Sequence, residues 1–227
     1  MRITVLLTPG AAPVSPHAAA VIVDVLRATS TLTVALTHGA ARVLPAASPE
    51  EAFALRRDEA GALLCGERGG RRIPGFDLGN SPDEYLPSAV SSRTLIFAST
   101  NGSRAMVAAA SARRRVLGAF INASAVVEAV AREADVVVVC AGEVGRFSFE
   151  DAAFAGLLCE RLAARGATIE GPAARFARTL APCDASETRA LVQGSSHGRA
   201  LRSLGYEFAR DVEFCAGLDR VNRAFEI

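Results

Sequence analysis

Three short apolar runs, each closed by a polar loop and followed by a helical stretch, set the pattern of the chain. Ala19-Ala20-Val21-Ile22-Val23 ends at Asp24 and passes through Arg27 and Ala28 to a helical stretch starting near Thr29. Thr94-Leu95-Ile96-Phe97-Ala98 ends at Ser99-Thr100-Asn101-Gly102 before an Ala-rich helix, and Val136-Val137-Val138-Val139 ends at Cys140-Ala141-Gly142 before a helix starting near Ser148. Apolar runs without alternation, flanked by helices, mark parallel strands buried on both faces. The predicted fold is therefore α/β, a three-layer α/β/α arrangement around a largely parallel or mixed sheet. Ligands in such folds sit beyond the carboxyl ends of the strands, so the three loops are expected to meet on one edge. The three units share an architecture but no residue-level repeat, and no linker divides them, so residues 1–227 read as a single domain.

Composition narrows the function classes. The 227 residues are 50% hydrophobic and carry a net charge of only +1, which argues against nucleic-acid and membrane-surface partners, both of which need a basic excess. The N-terminal run Met1-Arg2-Ile3-Thr4-Val5-Leu6-Leu7 begins like a strand and lacks the features of a signal peptide. No apolar run reaches the roughly 18 residues of a spanning helix. A cytoplasmic location is expected. The five cysteines are scattered and include no CxxC pair, which fits reduced thiols rather than a disulfide frame or a zinc site. All 25 basic residues are arginine. The absence of lysine removes P-loop, Schiff-base and protein-kinase chemistry.

The loop from Gly66 to Pro82 crowds glycines, carboxylates and Arg68, Arg71 and Arg72. Glycines permit close backbone approach, and guanidinium forks match phosphate, carboxylate or sulfonate oxygens. A small anionic ligand is expected there. Asp24, directly after an apolar strand, is costly to bury without a cation or several donors. It reads as a metal ligand or as a turn carboxylate accepting backbone amides. Arg27 reads as a phosphate contact or as a partner of Asp24. Thr100, Asn101 and Gly102 lie where backbone amides face an anion at a helix start.

The segment Cys140 to Asp151 supports two mechanisms. Cys140 and Arg146 have the C-x5-R spacing of a thiolate phosphate loop, although a Cys after four valines also fits an inert strand end. Glu150 and Asp151 supply oxygen ligands for a hard cation such as Mg²⁺, and Ser148-x-x-Asp151 equally fits a helix cap. Ser81 and Glu84 read as another capping box, which leaves Asn80 for the ligand. His17, His38 and His197 lie in poor contexts for a metal cluster or a triad.

Taken together, Val23 to Thr31, Gly66 to Gly70, Gly75 to Pro82, Thr100-Asn101-Gly102, Cys140 to Gly142 with Gly145 to Asp151, and His197-Gly198-Arg199 resemble the 2-phosphosulfolactate phosphatase family over nearly the whole chain. His197 and Ser103 depart from the family pattern, which has Asn and Thr there, and leave the substrate open. The resemblance implies a Mg²⁺-dependent hydrolase releasing phosphate from a small polyanionic phosphate monoester, a step toward coenzyme M. It also implies catalytic roles for Asp24, Arg27, Glu67, Arg68 and Arg146, and metal ligation by Asp24, Glu67, Glu150 and Asp151. Asn80, Ser81, Thr100, Asn101, Gly102 and Gly142 would contact the substrate. The expected mechanism is attack by metal-activated water within an arginine clamp. An aspartyl-phosphate route through Asp24, a cysteine phosphatase and a non-catalytic anion binder are the alternatives. Homo-oligomerisation is left open.

Overall fold

The computed structural model describes residues 1–227. In chain order its elements are β1 Arg2–Leu6, β2 Ala19–Val23, α1 Ala28–Thr37, β3 Arg42–Pro45, α2 Pro49–Asp58, β4 Leu63–Arg68, β5 Arg71–Arg72, α3 Pro87–Val90, β6 Thr94–Ala98 and α4 Gly102–Ala108. They continue as β7 Arg114–Gly118, α5 Ala123–Val130, β8 Asp135–Cys140, α6 Phe149–Ala163, β9 Thr168–Ile169, α7 Gly171–Arg178, α8 Ala185–Gly194, α9 Ser196–Ser203 and α10 Tyr206–Cys215. Short 3₁₀ turns occupy Pro82–Glu84 and Phe120–Asn122. No helix is long and apolar enough to cross a membrane.

The strands form two sheets, in the orders β7-β2-β8-β1-β9 and β3-β6-β4-β5. The first is parallel throughout. The second is parallel except for β5, which returns antiparallel on β4. The α/β layering expected from the pattern is present, and each of the three apolar runs is a strand. The run at 94–98, however, lies in the second sheet. Apolar content reveals burial on both faces but does not say which neighbour supplies it.

Strand alternation distributes the core. Val21, Val23, Val136 and Val138 face α5, α6 and α7 in one apolar cluster of 30 buried residues. Ala20, Ile22, Val137 and Val139 face the other way, into a second cluster of 24 that also takes Leu32 of α1, Met106 of α4, and Cys65, Leu95 and Phe97 of the second sheet. That cluster joins the two sheets across α1 and α4. A third, of eight residues, backs the second sheet against α2. Where β4 runs beside β6, a Cβ on Gly66 would lie 1.8 Å from the Ala98 carbonyl oxygen, and its φ is +138°. Only glycine fits that approach.

Candidate active site

β2 is buried along its whole length and stops at Asp24. Thr29 fixes the turn that follows: its hydroxyl accepts the Asp24 amide at 3.1 Å and reaches the carbonyls of Asp24 and Gly118 at 2.8 and 2.7 Å. The side chain of Asp24 accepts the Ala28 amide at 3.3 Å through Oδ1, while Oδ2 has no donor from the protein. Burial raises this carboxyl to about 6; His197 pulls it back, and the charges of Glu67 and Glu150 add to the rise. Gly102 stands close by, where a Cβ would come within 2.6 Å of Asp24 Oδ2.

Arg27 precedes α1 and is almost fully buried. Its guanidinium donates to Asp211 Oδ2 at 2.5 Å and to the Gly70 carbonyl at 2.6 Å, and it covers the Phe208 ring at 5.2 Å. Ser81 donates to the other Asp211 oxygen at 2.6 Å. α10 therefore locks Arg27 in place. Glu67, at the end of β4, accepts the Thr100 amide at 2.7 Å, the Thr100 hydroxyl at 3.2 Å and the Gly70 amide at 2.8 Å. This one carboxylate ties the glycine loop to the loop after β6. Asn80 is buried, and its Oδ1 has no hydrogen-bond partner.

These groups surround a cavity of about 260 Å³. Asp24, Arg27, Glu67, Asn80, Thr100 and Asn101 line it, together with Gly69, Gly70, Glu143, Val144, His197 and an apolar wall from Leu26, Ala200, Leu201 and Leu204. The loops after β2, β6 and β8 do meet, although their strands belong to two sheets. Glu143 and Val144 supply the third loop, and Val144 is held there by its amide donating to Asn101 Oδ1 at 2.9 Å. Three carboxylates thus face one guanidinium, itself paired with Asp211, and one imidazole.

Several expected contributors lie elsewhere. Arg68 turns its Nη1 onto the Glu67 carbonyl and Arg146 is exposed; neither lines the cavity, where Arg27 is the one arginine. Every basic residue in this chain is arginine, so arginine density in a loop also reflects ordinary surface charge. Gly142 turns its amide to Asp151 Oδ2 at 3.1 Å, Val25 donates to the other oxygen at 2.9 Å, and Asp151 is consumed as a backbone acceptor. Burial, with the charges of Asp24 and Glu150, drives the Asp151 acid well above its usual range. Ser148 caps α6 by accepting the Asp151 amide at 3.3 Å. Ser81 bonds Asp211, as above, and Gly102 stands behind Asp24. Glu84 closes the capping box through the Gly79 and Ser81 amides at 2.7 and 3.4 Å. Cys140 is a core residue whose thiol burial pushes well above its ordinary value. The C-x5-R spacing folds into a reciprocal Glu143–Arg146 backbone turn rather than a thiolate loop.

His197, Glu143 and Asp211 are the site residues to which the sequence reading assigns no role. His197 sits in the first turn of α9, and its Nδ1 is 3.2 Å from Glu150 Oε1. The contact is not aligned as a hydrogen bond, so that buried oxygen lacks a donor. Burial lowers the proton affinity of the imidazole, but Glu150, with Asp24 and Glu143 behind it, outweighs this and leaves the pKa above its ordinary value. The signal available was position: His197-Gly198-Arg199 stood among the resembling segments.

No three His, Cys, Asp or Glu side chains form a metal cage. Mg²⁺ does not require one, since it is commonly held by one or two carboxylates with waters and substrate phosphate completing its octahedron. Asp24, whose Oδ2 meets no protein donor at the cavity wall, and Glu67, three of whose roughly four acceptor positions are filled, fit that donor set. Glu150 and Asp151 do not line the cavity: Glu150 faces His197, and Asp151 is taken by the Val25 and Gly142 amides.

Comparison with known sequences follows the same line. The profile of the family described as 2-phosphosulpholactate phosphatase matches residues 7–226. A probable 2-phosphosulfolactate phosphatase of Carboxydothermus hydrogenoformans is 41% identical over 220 residues, covering 96% of this chain and 90% of that protein. One of Thermotoga petrophila is 40% identical over 210 residues, covering 92% and 89%. One of Deinococcus radiodurans is 42% identical over 203 residues, covering 88% and 83%.

Proposed function

The chain belongs to the 2-phosphosulpholactate phosphatase family, and from that membership we propose that it hydrolyses 2-phosphosulfolactate to sulfolactate and phosphate with the aid of Mg²⁺, a step of the coenzyme M type. The observation that carries the metal is the charge of the cavity. Asp24, Glu67 and Glu143 repel a phosphate dianion, and Arg27 is already committed to Asp211. A cation held between Asp24 and Glu67 would turn that repulsion into attraction.

Asp24 and Glu67 would hold the ion. Bound there, Mg²⁺ supplies charge neutralisation at the phosphoryl oxygens and a more acidic water. Arg27 keeps its remaining guanidinium face toward the cavity and is preorganised by Asp211, so no reorganisation is needed as charge shifts. Asn80, with an unused buried oxygen, orients a hydroxyl or water. Thr100 is fixed through Glu67, and the apolar wall of Leu26, Leu201 and Leu204 limits bulk water. Phosphate monoester hydrolysis depends mostly on positioning and charge neutralisation, which this arrangement supplies.

The other anionic groups of the substrate have a place. A neighbouring recess of about 460 Å³ shares Arg27, Gly70 and Asn80 with the cavity and adds Arg71, Arg72 and Arg210 beside the carboxylates of Asp83, Glu84, Glu207 and Asp211. Arg210 is paired with Asp83, whereas Arg71 rests on the Phe208 ring with no acidic partner within ion-pair distance. Charge-assisted hydrogen bonds are worth roughly 1.5–3 kcal/mol each, so loss of one substrate anion should lower kcat/KM by on the order of tenfold or more. Rates of phosphate release from phosphosulfolactate, phospholactate and a simple alkyl phosphate test this. A descending series is expected; equal rates on all three would make this a general phosphatase.

A further inference from the structure

His197 is the one cavity residue with a ring nitrogen able to deliver a proton, and its surroundings are arranged for it. Ser195 caps α9 by accepting the Gly198 amide at 2.9 Å. A Cβ on Gly198 would lie 2.1 Å from the Val192 carbonyl oxygen, so glycine lets α9 fold tightly back on the end of α8 and brings His197 to the cavity. Nδ1 then meets Glu150, whose carboxylate is 99% buried in the first turn of α6 and has no hydrogen-bond donor on Oε1. An otherwise unpaired buried carboxylate favours a proton on the facing nitrogen. Nε2 has no protein partner.

We propose that His197, oriented by Glu150, is the general acid that protonates the departing ester oxygen. The proposal rests on the phosphatase reading above. The secondary alcohol of a phosphorylated hydroxy acid is a poor leaving group as an alkoxide. Arginine does not give up its proton, and Asp24 is assigned to the cation. As the bond from phosphorus to the ester oxygen breaks, its electron pair stays on that oxygen, which takes the Nε2 proton. Water oxygen bonds to phosphorus and loses one proton to solvent, from which the imidazole is reprotonated. The balance is one ester dianion and one water giving one alcohol and one hydrogen phosphate dianion. An acid poised on a carboxylate in this way commonly supplies about 10²- to 10⁴-fold.

The experiment compares wild type, His197→Gln, His197→Asn and Glu150→Gln on 2-phosphosulfolactate and on p-nitrophenyl phosphate, whose leaving group needs no proton. Circular dichroism and Tm of each variant establish that it is folded. The expected result for both His197 variants is a loss on the order of 10²-fold in kcat on the alkyl ester and about threefold on the aryl ester. Glu150→Gln should lose about tenfold on the alkyl ester, in the same direction. If wild type accepts only the alkyl ester, the ¹⁸O isotope effect at the bridging oxygen replaces the comparison and should rise in the His197 variants. Equal losses on both esters, or an unchanged isotope effect, would overturn the role of His197. No phosphate release by wild type from any ester would instead overturn the phosphatase reading.

Discussion

At the scale of single residues, the carboxyl of Asp24, directly after five buried strand residues, lies in the cavity with its acid raised to about 6. The folded state therefore binds this proton more tightly than the unfolded chain. The resulting stability is fully present below the ordinary carboxyl value of 3.8 and is lost as pH rises through about 6. Above that, the buried anion costs on the order of 1–3 kcal/mol in metal-free protein. Asp24→Asn should thus raise the stability of chelator-treated protein at pH 8 by about that amount and converge with wild type near pH 4, while phosphatase activity falls by about 10²-fold or more. Thermal unfolding across pH, paired with phosphate release, checks both halves. A variant that is less stable at pH 8 would mean that Asp24 acts as a structural turn residue. Its place after an apolar run marks Asp24 in the sequence, whereas no local pattern assigns a role to His197 or Asp211. They reach the site through helices late in the chain, and a lone histidine or aspartate on a helix carries no local sign of where packing will take it.

At the scale of elements, the strand runs were readable because burial on both faces removes alternation, and their loops did converge. What the pattern did not carry is the use of each acid. Glu150 and Asp151 look equivalent in sequence, yet one helical position rotates them about 100° apart. Glu150 meets His197, and Asp151 joins the loops after β2 and β8 by accepting the amides of Val25 and Gly142. Asp151→Ala would leave both buried amides without acceptors, at about 1–3 kcal/mol each. A loss of roughly 2–5 kcal/mol in chemical denaturation is expected, with the loops after β2 and β8 exchanging amide hydrogens faster than the rest of the first sheet. A fully stable variant that loses activity alone would instead make Asp151 part of the chemistry.

At the scale of the whole molecule, a nearly neutral chain concentrates acid where two sheets meet. The apolar cluster shared by both sheets, α1 and α4 brings Glu67 and Thr100 from one sheet against Asp24 from the other. The sequence pattern showed one layered architecture but not its division into two sheets, since an apolar strand is equally buried in either. It also pointed to an arginine-rich site, whereas the folded cavity has more carboxylates than guanidinium groups. That reversal makes the cation central to the proposed chemistry. The most direct test is phosphate release from 2-phosphosulfolactate by chelator-stripped protein before and after Mg²⁺ is restored. The stripped protein should show no turnover and regain it with added Mg²⁺; full turnover in EDTA after metal removal would make the cation dispensable and overturn this mechanism.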